Sequence, residues 1–291
     1  MSNIVNLLLA GLATGAIYAL VAIGFTLLWQ TSQTINFAQG EFVMLPAFFV
    51  LAALNLKAPL WLALLIGLGA SLLVLGAMFK LIIVDPMLRH GVLPLAICTM
   101  ALSIFLKEGV KESYSAEASP FPSLFPSGNV SVLGAQISIQ SISIFVFALA
   151  AVYLLQAFLM RTSTGRQMQA TAQNPSVAKL LGIPVERMIL YTFLINAALV
   201  ALASFLVSPV YLAKFSAGET LGLSAFIAAI VGGFNQIRGA IAGGLLLGVV
   251  DNFAAAYVST QYRGAVPLFL LIAVILFRPQ GLFGRAEERT V

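Results

Sequence analysis

Three acidic side chains lie at or within apolar stretches of this chain, and they are the residues best suited to chemistry. They are Glu41, Glu219 and Asp251. Ionisable groups are costly in apolar surroundings and usually face a cavity or a partner. Three interpretations of the two glutamates stay open: contact with a substrate ammonium group, capping of the helices that they open, or a place among lipid headgroups. Their expected position in a first helical turn favours capping.

The residues around the two glutamates form a short internal repeat. Residues 40–48 read Gly-Glu-Phe-Val-Met-Leu-Pro-Ala-Phe, and residues 218–226 read Gly-Glu-Thr-Leu-Gly-Leu-Ser-Ala-Phe. Interrupted segments at matching positions of two halves point to a transport site near the bilayer middle. Asparagines in such segments more often join helices than bind ligands. The candidates for a translocation path are Asn36, Gln39, Gly40, Glu41, Asn196, Gly218 and Glu219.

Motifs for covalent catalysis and for nucleotide binding are absent from the sequence. It contains no G-x-x-x-x-G-K-[ST], no H-E-x-x-H and no G-x-S-x-G. His90 has no second metal ligand near it in sequence, and Cys98 is the one cysteine. We therefore expect no enzyme activity, no cofactor or metal in this chain and no nucleic-acid partner. Energy for any transport must come from other subunits or from an ion gradient.

The composition indicates an all-α, polytopic membrane protein. Hydrophobic residues make up 60% and charged residues 9% of the chain, whereas soluble domains carry about 25% charged residues. Apolar runs predict about eight to nine transmembrane helices in one domain, 1–291, with short or broken helices in two repeat-like halves. The predicted spans are 4–28, 41–54, 60–84, 92–106, 141–160, 188–212, 221–234, 240–258 and 265–277.

The distribution of charge predicts how the chain is oriented. Residues 161–187 carry four basic side chains against one acid, and the tail 278–291 carries three arginines. The positive-inside rule predicts that both are cytoplasmic, so that the connector 107–140 is external. Alternation over 130–132 and 136–139 predicts a small external hairpin. A plain structured loop is the alternative.

The polar segment 161–187 has the signals of two short helices set at an angle. Thr162, Ser163 and Thr164 offer N-cap oxygens to the first helix, and Asn174 is the expected N-cap of the second. Pro175 suits a first helical position, and Gly182 suits the end of the second helix. A helix of two turns is not stable alone. It must therefore pack on its own protein, on a partner or on lipid headgroups. The candidate docking residues are Gly165, Arg166, Met168, Asn174, Pro175, Ala178, Leu181 and Gly182.

Several motifs together resemble one family of membrane proteins. Residues 36–42, Asn-Phe-Ala-Gln-Gly-Glu-Phe, are similar to the Asn-Phe-Ala-His-Gly-Glu signature of the branched-chain amino acid permease family of the LivH type. Gln39 stands where histidine is common. Residues 18–24, the glycines of 232–244 and the ending 277–284 are also similar to that family. The likeness extends over essentially the whole chain.

The resemblance implies a permease subunit of an ATP-binding-cassette importer in the bacterial inner membrane. Residues 161–187 would then be a coupling segment that contacts the ATPases. The implied partners are a second, related permease, two cytoplasmic ATPase subunits that use ATP, an external substrate-binding protein and the lipid bilayer.

The cargo is not fixed by these motifs. Branched-chain or other hydrophobic amino acids are the expected cargo, and urea or short amides are the alternative, because permeases for these look alike. A second alternative is a carrier or channel driven by an ion gradient, which would have no need of the polar two-helix segment. An intramembrane enzyme is disfavoured, since the sequence shows no acid–base pair or metal set.

Overall fold

In a computed structural model, the protein is described over residues 2–114, 117–126, 128–132, 135–259 and 264–284. The helices are α1 Ser2–Ser32, α2 Gln39–Asn55, α3 Leu60–Ser71, α4 Asp85–Leu88, α5 Val92–Tyr114, α6 Ile139–Arg161, α7 Ser163–Gln173, α8 Pro175–Leu180, α9 Val185–Tyr211, α10 Ala217–Gly232, α11 Ile237–Tyr257 and α12 Ala265–Phe277. A π-helical segment, Leu72–Val84, joins α3 to α4, and two strands, β1 Asn129–Val132 and β2 Ala135–Ser138, form a hairpin.

The helices confirm the prediction of a polytopic all-α membrane protein. Among the described residues, six helical stretches are long and apolar enough to cross a membrane. They are Ile4–Ser32, Leu60–Leu88, Val92–Tyr114, Ile139–Arg161, Val185–Tyr211 and Ile237–Tyr257. Three shorter apolar helices, α2, α10 and α12, accompany them. The six spans and three short helices agree with the predicted eight to nine.

The predicted helix boundaries differ from the structure most at the end of α5. The connector was expected to begin at Lys107, but α5 continues to Tyr114. The apolar pattern stops at the first charged residues, whereas lysine and glutamate have good helix propensity and keep the backbone helical. An ion pair of 2.9 Å between Glu108 and Lys111, one turn apart, adds to this extension.

Helices α1 and α11 pack antiparallel through glycines. Gly11 lies against Val249, and Gly15 lies against Gly244, so positions rise along one helix as they fall along the other. A Cβ atom on Gly15 would lie 2.8 Å from the carbonyl oxygen of Gly244. Small residues permit this close approach of two backbones, which is how helices associate in a bilayer.

Helix α2 begins inside the protein and runs antiparallel to α1. Although α1 ends at Ser32, a Cβ atom on Gly24 would lie 2.5 Å from Nε2 of Gln39, at the start of α2. Further along α2, Met44 lines a cavity together with Tyr18 of α1. The segment that joins the two helices therefore turns back into the bundle, and α2 starts beside Gly24 of α1, not beside the end of α1.

Helix α10 runs in the direction of α1. The rings of Phe25 and Phe226 have centroids 5.4 Å apart, and those of Trp29 and Phe234 have centroids 5.6 Å apart. Residue numbers therefore increase in the same direction along α1 and along α10 with the two residues that follow it. Because α2 is antiparallel to α1, the two short helices are antiparallel to each other, as two inverted repeats require.

The two repeated Gly-Glu motifs meet where α2 crosses α10. A Cβ atom on Gly222 would lie 2.5 Å from Cα of Gly40, and a Cβ atom on Gly40 would collide with the carbonyl group of Gly218. The contact is backbone against backbone, so no side chain can move aside. Equivalent glycines of the two halves thus pack directly on each other.

The ends of the helices define two faces. At one face, the hairpin pairs Asn129 with Ser138, and the connector residue Ser119 exchanges two backbone hydrogen bonds, of 2.9 and 3.0 Å, with Ala213 after α9. At the other face lie α7, α8 and the start of α9. We call these the hairpin face and the polar-segment face. The hairpin prediction is confirmed, although its turn, 133–134, lies outside the described residues.

The beginning of the tail lies at the polar-segment face. The backbone N–H groups of Leu282 and Phe283 donate to the carbonyl oxygens of Val231 and Gly232, at the end of α10. Because α10 is antiparallel to α9, the end of α10 and the start of α9 share a face. Residues 285–291 of the predicted cytoplasmic tail lie outside the described residues.

The crossing glycines generate a test of stability. We expect Gly222→Ala to destabilise the protein by about 1–3 kcal/mol, because the new methyl group overpacks against the backbone of Gly40. Gly109→Ala on α5 is the matched control, since a Cβ atom there meets no described atom within 4 Å. Thermal unfolding midpoints of the purified variants in detergent measure the difference. Equal midpoints for the two variants would contradict the packing at the crossing.

Candidate functional site

A cavity of about 660 Å³ lies between α1, α2, α9 and α10. It extends to residues 212–214 at the hairpin face. Most of its wall is apolar, and Ser208, Lys214 and Glu219 add polar groups. The aliphatic and sulfur-containing side chains that line it include Ile17, Val43, Met44, Ala47, Val207 and Leu221. A mostly apolar cavity with a few polar groups suits a small ligand with an aliphatic part.

Two predicted path residues join α2 to α9. Gln39 Nε2 donates to Asn196 Oδ1 at 2.6 Å, and Asn196 Nδ2 donates to Gln39 Oε1 at 3.0 Å. Both side chains are fully buried, and Gly24 of α1 leaves room for them. The pair therefore satisfies two amides reciprocally inside the bundle, which is the helix-joining role of polar groups in membranes.

Asn36 is part of the same buried amide group. Its Nδ2 lies 3.4 Å from Gln39 Oε1, and its Oδ1 accepts the backbone N–H of Ala38 at 3.0 Å. The hydroxyl of Thr99 on α5 accepts the N–H of Phe37 at 3.2 Å. Asn36, Gln39 and Asn196 are thus brought together as predicted. They stand apart from the cavity wall, in which none of the three takes part.

Glu41 lies in the first turn of α2, as the capping interpretation expects, but its side chain makes no capping hydrogen bond among the described residues. Among the described residues, α2 has no side-chain capping hydrogen bond at its N-terminus. Asn36 and Thr99 already accept the N–H groups just before the helix. Glu41 instead turns toward α5, where its Oε1 accepts from the Ser103 hydroxyl at 3.3 Å. Its Oε2 is buried without a hydrogen-bond partner in the described part of the chain.

Glu219 does not cap α10 either. It lies in the first turn, but within the described residues α10 also has no side-chain cap. Its Oε2 accepts from Lys107 Nζ of α5 at 2.7 Å. Sequence reasoning missed Lys107, which is 112 residues away in the chain. A lysine directly after the apolar run 92–106, in phase with Ser103, was the available signal.

Helix α5 brings these groups together. Ser103 and Lys107 are one turn apart and therefore lie on the same face of α5. They meet Glu41 from α2 and Glu219 from α10 beside the glycine crossing. We call these four residues the crossing cluster. With two acids and one lysine, its formal charge when fully ionised is negative.

A further buried acid lies at the cavity wall. Asp251 of α11 accepts a hydrogen bond of 3.0 Å from the hydroxyl of Tyr18 on α1. Both residues line the cavity. This bond links α1 to α11 and shows why an acid is tolerated at this depth, since buried polar groups require partners.

The N-cap of α7 is Thr162, one of the three candidates, and Asn174 caps α8 as predicted. Thr162 Oγ1 accepts the N–H of Gly165 at 2.9 Å, and Asn174 Oδ1 accepts the N–H of Val177 at 3.0 Å. Pro175 occupies the start of α8. Gly182 follows α8 with a φ of +79°, which glycine adopts without strain. The two helices are therefore fixed by local interactions.

One side of the polar segment packs against the rest of the protein, and the other side is exposed. Gly165, Met168 and Ala178 are buried, and a Cβ atom on Gly165 would lie 2.6 Å from Cα of Leu159 in α6. Outward, Leu180 is 87% and Leu181 is 73% exposed. The remaining candidates, Arg166, Asn174, Pro175 and Gly182, are exposed as well. We call Val177, Leu180 and Leu181, which are all exposed, the apolar tip.

The fold and these sites define a class of protein. Short antiparallel helices that begin inside a membrane bundle, a cavity beside them and a polar helix pair at one face are features of a multi-pass membrane transport protein. The chain belongs to the family described as branched-chain amino acid transport system permease components, whose model matches residues 7–275.

Named relatives match over nearly the whole chain. The high-affinity branched-chain amino acid transport system permease protein BraD of Pseudomonas aeruginosa is 37% identical over 299 residues, covering 98% of this chain and 97% of that protein. The permease protein LivH of Escherichia coli K12, of the same description, is 33% identical over 294 residues, with 97% and 96% covered. The fructose import permease protein FruG of Bifidobacterium longum is 28% identical over 264 residues, with 84% and 74% covered.

The buried amide pair makes a prediction about energetic coupling. Gln39→Leu and Asn196→Leu should each destabilise the protein, because each leaves one buried amide unpaired. The double variant should lose less than the sum, by about 0.6–1.7 kcal/mol. Gln39→His, which keeps one donor and one acceptor, should cost less than Gln39→Leu. A double-mutant cycle of unfolding midpoints in detergent measures the coupling, and strictly additive losses would disprove it.

Proposed function

We propose that this chain is the pore-forming permease subunit of an ATP-driven importer of branched-chain aliphatic amino acids. A binding protein delivers the cargo at the hairpin face, and ATPase subunits dock at the polar-segment face. Membership of the permease family supports this function, as do the names of the relatives BraD and LivH. The chain moves its cargo without covalent chemistry, and ATP is used by its partners.

The apolar tip is the observation that carries the proposal. Leu180 and Leu181 project from a helix of six residues at a face rich in basic residues. Large exposed apolar groups at a polar surface mark interaction sites. A groove on a cytoplasmic ATPase would bury this tip, whereas a carrier driven by an ion gradient needs no such docking surface.

The anchoring of the polar segment suits the transmission of movement. Gln169 Nε2 of α7 donates to the carbonyl oxygen of Leu159 at the end of α6, at 2.9 Å. Helix α8 leads directly into α9, which is tied to α2 through Asn196 and Gln39. A displacement of the docked tip therefore moves α6, α9 and α2 as packed elements, in the manner of a rigid-body switch.

The cavity favours an aliphatic amino acid over the alternative cargoes. Its wall offers Val43, Met44 and Val207 to a branched side chain, which urea does not have. Such a wall binds weakly and without strong discrimination between aliphatic side chains. Specificity then rests with the external binding protein. A second, related permease completes the pore.

Removal of the apolar tip tests the proposed function. Leu181→Asp in the assembled importer should weaken association with the ATPases at least tenfold, because a charge replaces an apolar anchor. ATP-dependent leucine uptake in liposomes should fall with it. Leu56→Asp is the matched control, since Leu56 is 85% exposed but follows α2 at the hairpin face. Co-purification of ATPase and uptake are measured together.

Two results would contradict the proposal. One is normal ATPase binding and normal uptake by Leu181→Asp. The other is leucine uptake by the purified chain in liposomes without any ATPase, driven by an ion gradient.

The turn after α8 makes an independent prediction. Gly182→Val should uncouple ATP hydrolysis from uptake, because a branched residue at a φ of +79° costs roughly 1–2 kcal/mol and displaces the tip. Gly182→Asn should retain coupling, since asparagine adopts this conformation readily. The ratio of leucine transported to ATP hydrolysed is the measurement. Equal ratios in the two variants would show that the turn has no part in coupling.

A further inference from the structure

Helix α5 carries an ion pair on a face that the described chain leaves partly open. Lys107 Nζ lies 2.7 Å from Glu219 Oε2, with 28% of the lysine side chain and 67% of the glutamate side chain exposed. The neighbours of Lys107 on α5 include exposed apolar residues such as Ile104 and Phe105. The pair thus lies where the exposed apolar first part of α5 meets the charged residues Glu108, Lys111 and Glu112.

The pair lies close to the middle of α5. Helix α5 has 23 residues, and at 1.5 Å per residue it is about 34 Å long, close to the thickness of a bilayer core. Ser103 is its middle residue, and Lys107 lies one turn further, about 6 Å from the middle. Glu219 shares this depth because it contacts Lys107.

The cavity decides what surrounds the pair, because Glu219 belongs to the cavity wall. Charged side chains inside a membrane face a water-filled cavity or a partner, because hydrocarbon cannot solvate them. The crossing cluster also has an excess acid: Glu41 Oε2 is buried and without a hydrogen-bond partner among the described residues. A charged group from outside the chain would complete this arrangement. Lipid tails would leave it incomplete.

We propose that the Lys107–Glu219 ion pair lines the aqueous translocation path and receives the head group of a zwitterionic cargo, its ammonium on Glu219 and its carboxylate on Lys107. This rests on the proposed function and adds the site at which the permease contacts its cargo. The second permease supplies the opposite wall of the path.

The position of Glu219 supports this assignment. Glu219 belongs both to the ion pair and to the wall of the cavity, together with Val43 and Met44. A cargo bound at the pair can therefore place an aliphatic side chain in the cavity. When both charged ends of the cargo are bound, each of them lies next to a side chain of opposite charge. Because the pair must open to admit the cargo, the cargo is held weakly, which suits passage.

Neutralising the pair tests the proposal in the complete importer, reconstituted with its ATPases and binding protein. We expect Lys107→Gln/Glu219→Gln to lower leucine uptake per ATP hydrolysed at least tenfold, with normal complex yield and ATPase rate. Both residues are changed together so that no charge is left unpaired. The control is Glu108→Gln/Lys111→Gln, a 2.9 Å ion pair on the same helix, which should stay within twofold of wild type.

Labelling tests whether the pair faces water. In a Cys98→Ala background, Glu219→Cys should react with a charged, membrane-impermeant thiol reagent in the assembled importer. Phe105→Cys should remain unlabelled, although Phe105 is 73% exposed in the isolated chain, because it lies on another side of α5 and faces lipid or protein.

The outcomes separate this inference from the proposed function. Failure of the wild-type importer to take up leucine would overturn the function. Normal wild-type uptake, with equal losses in the two neutralised pairs or with no labelling of Glu219→Cys, would overturn the inference alone. A fall in complex yield and ATPase rate for Lys107→Gln/Glu219→Gln would also overturn it, because the pair would then be structural.

Discussion

The structure depends on one constraint: α2 begins inside the bundle, where its first backbone groups need hydrogen-bond partners from the protein itself. The hydroxyl of Thr99 and the amide oxygen of Asn36 accept the N–H groups that precede α2. The glycines at the crossing remove the side chains that would separate the two backbones. Only a chain that solves both problems can place Glu41 and Glu219 at this depth.

The same solution links the two ends of the protein. The amide pair of Gln39 and Asn196 ties the start of α2 to the middle of α9. Helix α9 begins beside the polar segment and ends at Tyr211, two residues before Ala213, which is hydrogen-bonded to the connector at Ser119. One helix therefore contacts the elements of both faces and the crossing between them, and these contacts make coupled movement physically reasonable.

Local signals allowed much of this to be predicted, and long-range partners explain the rest. The caps at Thr162 and Asn174 and the turn at Gly182 depend on neighbours within three residues, so the sequence alone indicated them. The end of α5 was misplaced because hydropathy stops at Lys107 while helix propensity continues. Glu41 and Glu219 lie in first helical turns as expected, but their hydrogen-bond partners were missed because both partners are on α5. Sequence periodicity gives no indication of a contact such as that of Lys107 with Glu219, which are 112 residues apart.

The contact of Gly40 with Gly218 and Gly222 also constrains how the two halves can diverge. After a duplication, equivalent positions are normally free to drift apart. Here the backbone at each position limits the size of the residue at the other position. A larger residue in one half would collide with the backbone of the other half. The acids beside the crossing are under no such reciprocal limit, since one meets a serine and the other a lysine. The two halves therefore keep the same backbone packing at the crossing, while their acids have different partners. The backbone scaffold is nearly symmetric, and its charged groups are not.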